Sequence, residues 1–301
     1  MDERDWLTQR FQEHRPRLRA LAYRMLGSTS EADDAVQEAW IRLSRSNAAE
    51  IDNLQAWFVT VVGRVALNML RSRKRRGEQP LEAHLPDPIV DRAEGIDPEH
   101  EALLADSVGL ALLVVLETLT PAERLAYVLH DMFSVPFEKI GAILERSPEA
   151  ARQLASRARR RIRSAETAPH HADAAAQQGE VVEAFLAAAR DGDFDALLAV
   201  LDPHIVERVD TGSGTIVEVR GALNVARRAM AASQRDGLVG RRALINGAPG
   251  WVSVLDGKLY AIAALTVQGG RIMTMDILLD PARLARLDPT EFLTDYFDSR
   301  L

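Results

Sequence analysis

Between Lys139 and Arg163 the chain carries eight cations, Lys139, Arg146, Arg152, Arg157, Arg159, Arg160, Arg161 and Arg163, against two acids, Glu145 and Glu149. The whole chain has a formal net charge of −7, so this stretch runs against its surroundings. Arginines at this density neutralise phosphates and, held in a fixed geometry, fork onto base edges. Their spacing says which could do so. Ala151, Leu154, Ala155, Ala158 and Ile162 form one apolar stripe at helical period. Arg152, Gln153, Ser156, Arg157 and Arg160 fall off that stripe, where a helix lying in a groove would offer them to DNA. A plain amphipathic hairpin with solvated arginines is the alternative reading.

A second cationic cluster, Arg71, Arg73, Lys74, Arg75 and Arg76, ends the helical pattern of 54–76. Arg64, Asn68, Arg71 and Lys74 recur on one side of it. Such a run also suits the negative end of a helix dipole, without any ligand. Trp57 and Phe58, near the start, could stack unpaired bases, although Trp57 reads more readily as core. Upstream, Asp33, Asp34, Gln37 and Glu38 line one polar face of EADDAVQEAWIRL, opposite Ala35, Val36, Ala39 and Leu43. That face suits either solvent or a basic protein partner. Near the end of the chain, Asp210, Asp276 and Asn246 are residue types that could move protons in a pocket. A turn before Gly212 and a strand surface explain the two acids as well. No dyad is evident, so no catalytic residue is assigned.

These groups must be positioned by about two domains, the number that 301 residues suggest. Hydrophobic residues at 47% and charged ones at 27% are ordinary for globular protein. The absence of cysteine excludes disulfides, thiolate metal sites and cysteine nucleophiles. No metal or cofactor is expected. The first residues, MDERDWLTQRFQEH, lack a signal peptide's apolar core, and no run is apolar enough to span a bilayer. A cytoplasmic protein with no membrane partner is expected.

In chain order, helical spacing predicts a helix over 3–26, with Pro16 marking a kink or break, and another over 31–43. A loop at 44–53 precedes the helix over 54–76. Residues 77–100, rich in proline and acids, read as a linker. Helices resume over 101–116 and 121–132. Two more, joined by a tight turn, occupy 134–163, the second begun by Ser147 as cap and Pro148 at its first position. After a second linker at 166–175 the pattern changes. Helices at 177–190 and 193–201 lead into alternating stretches at 204–210, 215–219, 238–245, 251–255, 258–267 and 271–279. A helix at 222–233 interrupts them, and another starts at 281. Turn signals at Asp256-Gly257 and Gly269-Gly270 mark hairpins, so the tail is predicted to be α+β with antiparallel strands.

Residues 7–164 resemble the extracytoplasmic-function sigma factors of bacteria. EADDAVQEAWIRL looks like that family's region 2.2, which implies polymerase contacts at Asp33, Asp34, Gln37 and Glu38 on the β′ clamp. The stretch 54–76, with the loop before it, looks like the part that reads and melts the −10 element. The resemblance implies DNA contacts at Arg64, Asn68, Arg71, Arg73 and Lys74. Residues 119–162 look like region 4, whose second helix reads the −35 element beside the β flap, implying Arg152, Gln153, Ser156, Arg157 and Arg160. Glu145 departs from the family's usual turn glycine. The implied domains are region 2 at 1–76, region 4 at 101–165 and a tail at 176–301.

The tail is similar to SnoaL-like, NTF2-like cones, and sigma factors carrying one form a subgroup. His84-Leu85-Pro86-Asp87-Pro88 resembles that subgroup's linker motif. Asp210-Thr211-Gly212-Ser213-Gly214 and Asp280-Pro281-Ala282-Arg283-Leu284 resemble its two tail motifs. The resemblance implies a sigma factor of core RNA polymerase and promoter DNA, not an enzyme. It also implies regulation in cis, by contact between tail and sigma domains, with a small-molecule ligand of the tail left open. The rival reading is an operator-binding regulator that works without polymerase.

Overall fold

The computed structural model describes residues 3–46, 51, 53–76, 84–92, 109–164 and 172–287. Parts of the expected loop at 44–53, of both linkers and of the expected helix at 101–116 lie outside the described residues, as does everything after residue 287. The chain divides into two compact units. The first holds 1–80, 98–106 and 113–166; the second holds 81–97, 107–112 and 167–301. Residues 84–92 of the expected linker therefore belong with the tail.

In the first unit, α1 (Glu3–Leu26), α2 (Thr29–Arg45) and α3 (Leu54–Arg76) form a bundle. Pro16 lies inside α1 without splitting it, and left-handed Gly27 ends it. Leu18, Leu21, Met25, Ala35, Val36, Leu43, Val62 and Ala66 fill the centre. Phe58 is fully buried, its ring centre 5.6 Å from that of Phe11, which in turn lies 4.9 Å from Trp40. A base-stacking role for Phe58 is thus ruled out by core packing. Trp57 stays half-buried, edge-on to Phe58.

α4 (Leu110–Glu117) precedes α5 (Pro121–Tyr127). Thr120 and Glu123 begin α5 with a reciprocal capping box, and Pro121 gives up no amide partner in the first turn. A π turn, Val128–Met132, prolongs α5. α6 (Phe137–Leu144) and α7 (Pro148–Ser164) complete a helix-turn-helix. Ser147 Oγ accepts from the Ala150 amide at 3.2 Å, capping α7 as the sequence predicts.

The turn between these helices is tight for two reasons. Glu145 adopts a left-handed conformation (φ 58°, ψ 46°), which favours glycine. Gly141 packs so closely that a Cβ there would lie 2.7 Å from the Arg146 carbonyl oxygen. The Arg146 amide donates to the Gly141 carbonyl at 2.9 Å, so the backbone has no room to yield. Gly141→Ala is expected to destabilise this module by about 1–3 kcal/mol, whereas Glu145→Gly should stabilise it by up to about 1 kcal/mol. Chemical denaturation of the two variants checks both signs.

In the second unit, α8 (Ala172–Asp191), α9 (Phe194–Val200) and α10 (Ala222–Ser233) cover one face of a seven-stranded sheet. Its strands are β1 (Val90–Arg92), β2 (Leu201–Asp210), β3 (Ile216–Arg220), β4 (Leu238–Ile245), β5 (Ala248–Leu255), β6 (Lys258–Gln268) and β7 (Arg271–Leu278), in the order β1-β4-β5-β6-β7-β2-β3. All pairs are antiparallel except β2 with β7, which is parallel and departs from the all-antiparallel expectation. Val182, Phe185, Leu197, Ile205, Val225, Trp251 and Met275 fill the space between helices and sheet, with Phe185 stacked on Trp251 at 5.1 Å. α11 (Pro281–Leu284) follows β7.

Candidate functional site

On α7, Ala151, Leu154, Ala155, Ala158 and Ile162 are buried, and Arg152, Gln153, Ser156, Arg157 and Arg160 are all exposed. The predicted groove-facing set therefore shares one open face. The remaining arginines divide by partner. Arg159 pairs with Asp131 at 2.6 Å, and Arg161 reaches Glu123 at 3.2 Å, so both tie α7 to the α5 segment. Arg157, half exposed, lies 3.5 Å from the same Glu123. Glu149 sits at the α7 N-terminus. Its own amide and then the Ser147 hydroxyl hold its carboxyl below the usual range.

In the α1–α3 bundle, Asp34 and Gln37 are open to solvent. Asp33 accepts from Arg19 of α1 at 2.8 and 3.2 Å, and Glu38 pairs with Arg42 at 2.8 Å. On α3, Arg64, Asn68 and Arg71 are exposed. Arg64 also reaches the Ala142 carbonyl at 3.4 Å. Arg73 behaves differently from the expectation of a DNA contact. It forms an ion pair with Glu31 and donates to the Leu26 carbonyl at 3.3 Å, pinning α3 to the α1–α2 corner. The Lys74 side chain lies outside the described residues. A shallow groove between α2 and α3 collects Glu38, Arg42, Asn68, Met69 and Arg73.

Sequence reasoning missed how the bundle meets the α5–α7 module. Buried Arg124 donates to the Arg24 carbonyl at 2.9 Å and pairs with Glu117 at 2.7 Å. Burial pushes the Glu117 carboxyl up, against the opposing pull of Arg124. The guanidinium carbons of Arg24 and Arg17 lie 5.3 and 5.8 Å from the Phe133 ring centre.

The second unit contains a different kind of site. Asp210 is fully buried at the end of β2. One of its oxygens accepts from the Leu85 amide at 2.8 Å and from Arg283 at 2.7 Å. The other accepts from the Gly212 amide at 3.0 Å, with His84 Nδ1 at 3.4 Å. Arg283 also binds Asp87 at 2.6 and 3.0 Å and the Leu85 carbonyl at 2.7 Å. Asp280 caps α11 through the Ala282 and Arg283 amides, which aims Arg283 inward. Gly212 (φ 77°) lies against Asp280, where a Cβ would come within 2.6 Å of the carboxylate carbon. Further along, the Ile89 amide donates to Asn246 Oδ1 at 3.1 Å and the Asn246 amide to the Ile89 carbonyl at 2.8 Å. β1 then pairs with β4.

The three motif segments, at 84–88, 210–214 and 280–284, thus meet in one buried latch. Leu85, Pro86, Pro88 and Ile89 are buried in it. Asp210 and Asn246 are spent on this latch, not aimed into a catalytic pocket. Asp276 is bound by Arg208 at 2.6 and 3.3 Å; burial pushes its carboxyl up against that pairing. Burial likewise raises Glu207, opposed by Arg228. Among the described residues, no group of acids and histidines could hold a metal ion, and no helix is long and apolar enough to cross a membrane.

The Sigma-70 region 2 pattern matches residues 10–76, and the Sigma-70 region 4 pattern matches residues 109–162. The probable ECF RNA polymerase sigma factor SigI of Mycobacterium tuberculosis is 33% identical over 287 residues, covering 94% of this chain and 97% of its own length. The chain belongs to the ECF RNA polymerase sigma factors. The ECF sigma factor SigJ of Mycobacterium tuberculosis is 35% identical over 285 residues, 90% of this chain and 91% of that one. The crystal structure of SigJ matches with a TM-score of 0.74 at 32% identity, covering 92% of this chain and 98% of that chain. The likeness spans both units, so this sigma factor carries its α+β tail as part of the shared architecture. In its first unit, the bundle is region 2 and the helix-turn-helix is region 4.

Proposed function

We propose that this sigma factor directs promoter-specific initiation by core RNA polymerase and that its tail regulates it by holding the linker between regions 2 and 4. The observation that carries the reading is the buried latch. Two modules that read separated promoter elements need slack chain between them. Residues 84–92, roughly 30 Å of chain when extended, are instead bound by Asp210, Arg283, Asn246 and the β4 edge. Opening the latch returns that length to the linker. A partner or ligand that binds the open or the closed form better than the other would set transcription through it. The tail performs no catalysis in this reading.

The exposed face of α7 supplies −35 recognition through Arg152, Gln153, Ser156, Arg157 and Arg160. Arg64, Asn68 and Arg71 of α3 face the −10 region. Asp34 and Gln37, flanked by Asp33 and Glu38, meet the polymerase β′ clamp, and region 4 lies beside the β flap. Arg152→Ala is the test of this reading. Holoenzyme bound to promoter and to scrambled duplex should lose roughly 5- to 150-fold of its discrimination, the value of one bidentate base contact. An equal loss on both duplexes would make Arg152 a phosphate contact instead.

A further inference from the structure

Phe137 is the odd member of its helix. Phe137, Ile140, Ile143 and Leu144 recur at helical spacing along α6; the last three are buried, whereas Phe137 at the first turn remains half-exposed. It is not idle. The Arg152 guanidinium carbon lies 5.2 Å from the Phe137 ring centre. The His130 ring stacks on the same Phe137, 3.9 Å between centres and 26° between planes. His130 is itself held, with Nδ1 3.1 Å from the Val135 carbonyl oxygen, which fixes Nδ1 as the protonated, donating nitrogen.

The backbone here is built around that stack. His130 sits in the π turn Val128–Met132, a rare widening of a helix that recurs at functional sites. The chain then leaves through left-handed Ser134, with the Val135 amide donating to the Leu129 carbonyl at 2.8 Å. Pro136 stands at the N-cap position of α6, its carbonyl accepting from the Lys139 and Ile140 amides, and Phe137 follows in the first turn. The result is a ring pair standing beside the recognition helix.

An aromatic ring, not a carboxylate, is what holds Arg152. Arg157, Arg159 and Arg161 each lie within 4.0 Å of a carboxylate, whereas Arg152, like Arg160, has no such ion pair among the described residues, and Glu149 one turn back acts on it only at longer range. The distinction matters chemically. A carboxylate would occupy the N–H donors that a base reader needs, whereas an aromatic face restrains the guanidinium and leaves its donors free. Restraint before binding reduces the side-chain entropy lost on contact.

We infer that Phe137, backed by His130, is a positioning residue that presents the free donor fork of Arg152 to a guanine in the major groove. Guanine is the base whose O6 and N7 match that fork. The inference rests on α7 being the base-reading helix, and its test separates the two.

The test measures holoenzyme affinity for duplexes carrying each base at every position of the −35 element, for wild type, Arg152→Ala, Phe137→Leu, Phe137→Trp and the double variant Phe137→Leu/Arg152→Ala. Arg152→Ala should abolish a guanine preference at one position. Phe137→Leu should relax the same preference about two- to fivefold, the range of an exposed cation–π contact, and leave the other positions unchanged. Phe137→Trp should preserve it, and the double variant should be no worse than Arg152→Ala alone. A Phe137→Leu protein that keeps the full preference, or that loses affinity equally at all positions, overturns the positioning role. If Arg152→Ala changes no base preference, the underlying assignment of α7 falls, and the inference falls with it.

Discussion

Arg283→Ala releases residues 84–92 from the tail. Three acceptors, Asp210, Asp87 and the Leu85 carbonyl, lose their shared donor. Asp210 has no exposed surface and Arg283 only 10%, so this is a buried pair. Breaking such a pair from one side costs about 3–5 kcal/mol, because the remaining charge stays desolvated. The Leu85 and Ile89 amides donate to Asp210 and Asn246, which makes them reporters of the latch. Their hydrogen exchange should accelerate by at least roughly a hundredfold, the equivalent of about 3 kcal/mol. Amides of β5 and β6, in the middle of the sheet, should keep their protection. Unchanged exchange at Leu85 and Ile89 would mean that β1 pairing alone holds the segment. Asp210→Asn serves as the milder companion, since the Arg283–Asp87 pair survives it.

Asp34→Lys should abolish association with core polymerase and leave duplex DNA binding intact. Asp34 is exposed, whereas its neighbour Asp33 is bound to Arg19. Reversing Asp33 would therefore disturb the α1–α2 packing as well, and reversing Asp34 tests the surface alone. Placing a like charge against a basic partner costs several kcal/mol at an interface, so affinity should fall by roughly a hundredfold or more. Sedimentation of labelled protein with purified core polymerase reads this directly. An operator-binding regulator would show the same weak association with and without the substitution.

Much of this arrangement was legible in residue order because local chemistry and tertiary structure agree. The stripe Ala151–Ile162 predicted both the burial of α7 and the open face beside it. Six of the strands lie within a few residues of their alternating stretches, with glycine turns where the hairpins fall. What could not be read depends on partners distant in sequence. β1 is the three residues Val-Asp-Arg, too short for an alternation signal, and it is a strand only because the β4 edge accepts it. Arg73 and Arg159 look like their cationic neighbours in sequence. Glu31 and Asp131 turn them inward, and no local pattern announces that. Asp210 and Asn246 carry the types of a pocket acid and its helper, but segment 84–92 claims both. The π turn at His130 leaves no periodic trace either, since a widening confined to five residues is too short to show as a change of period.

The measurement that bears most directly on the account is run-off transcription with purified core polymerase on genomic promoter fragments, comparing the full chain with its Arg283→Ala variant. Both proteins should start transcripts at the same promoter-specific sites, with a yield that differs between them because the linker is held in one and free in the other. Equal yields would remove the latch from regulation. No transcript from either protein, alongside retained duplex binding, would contradict the assignment of this chain as an initiation factor.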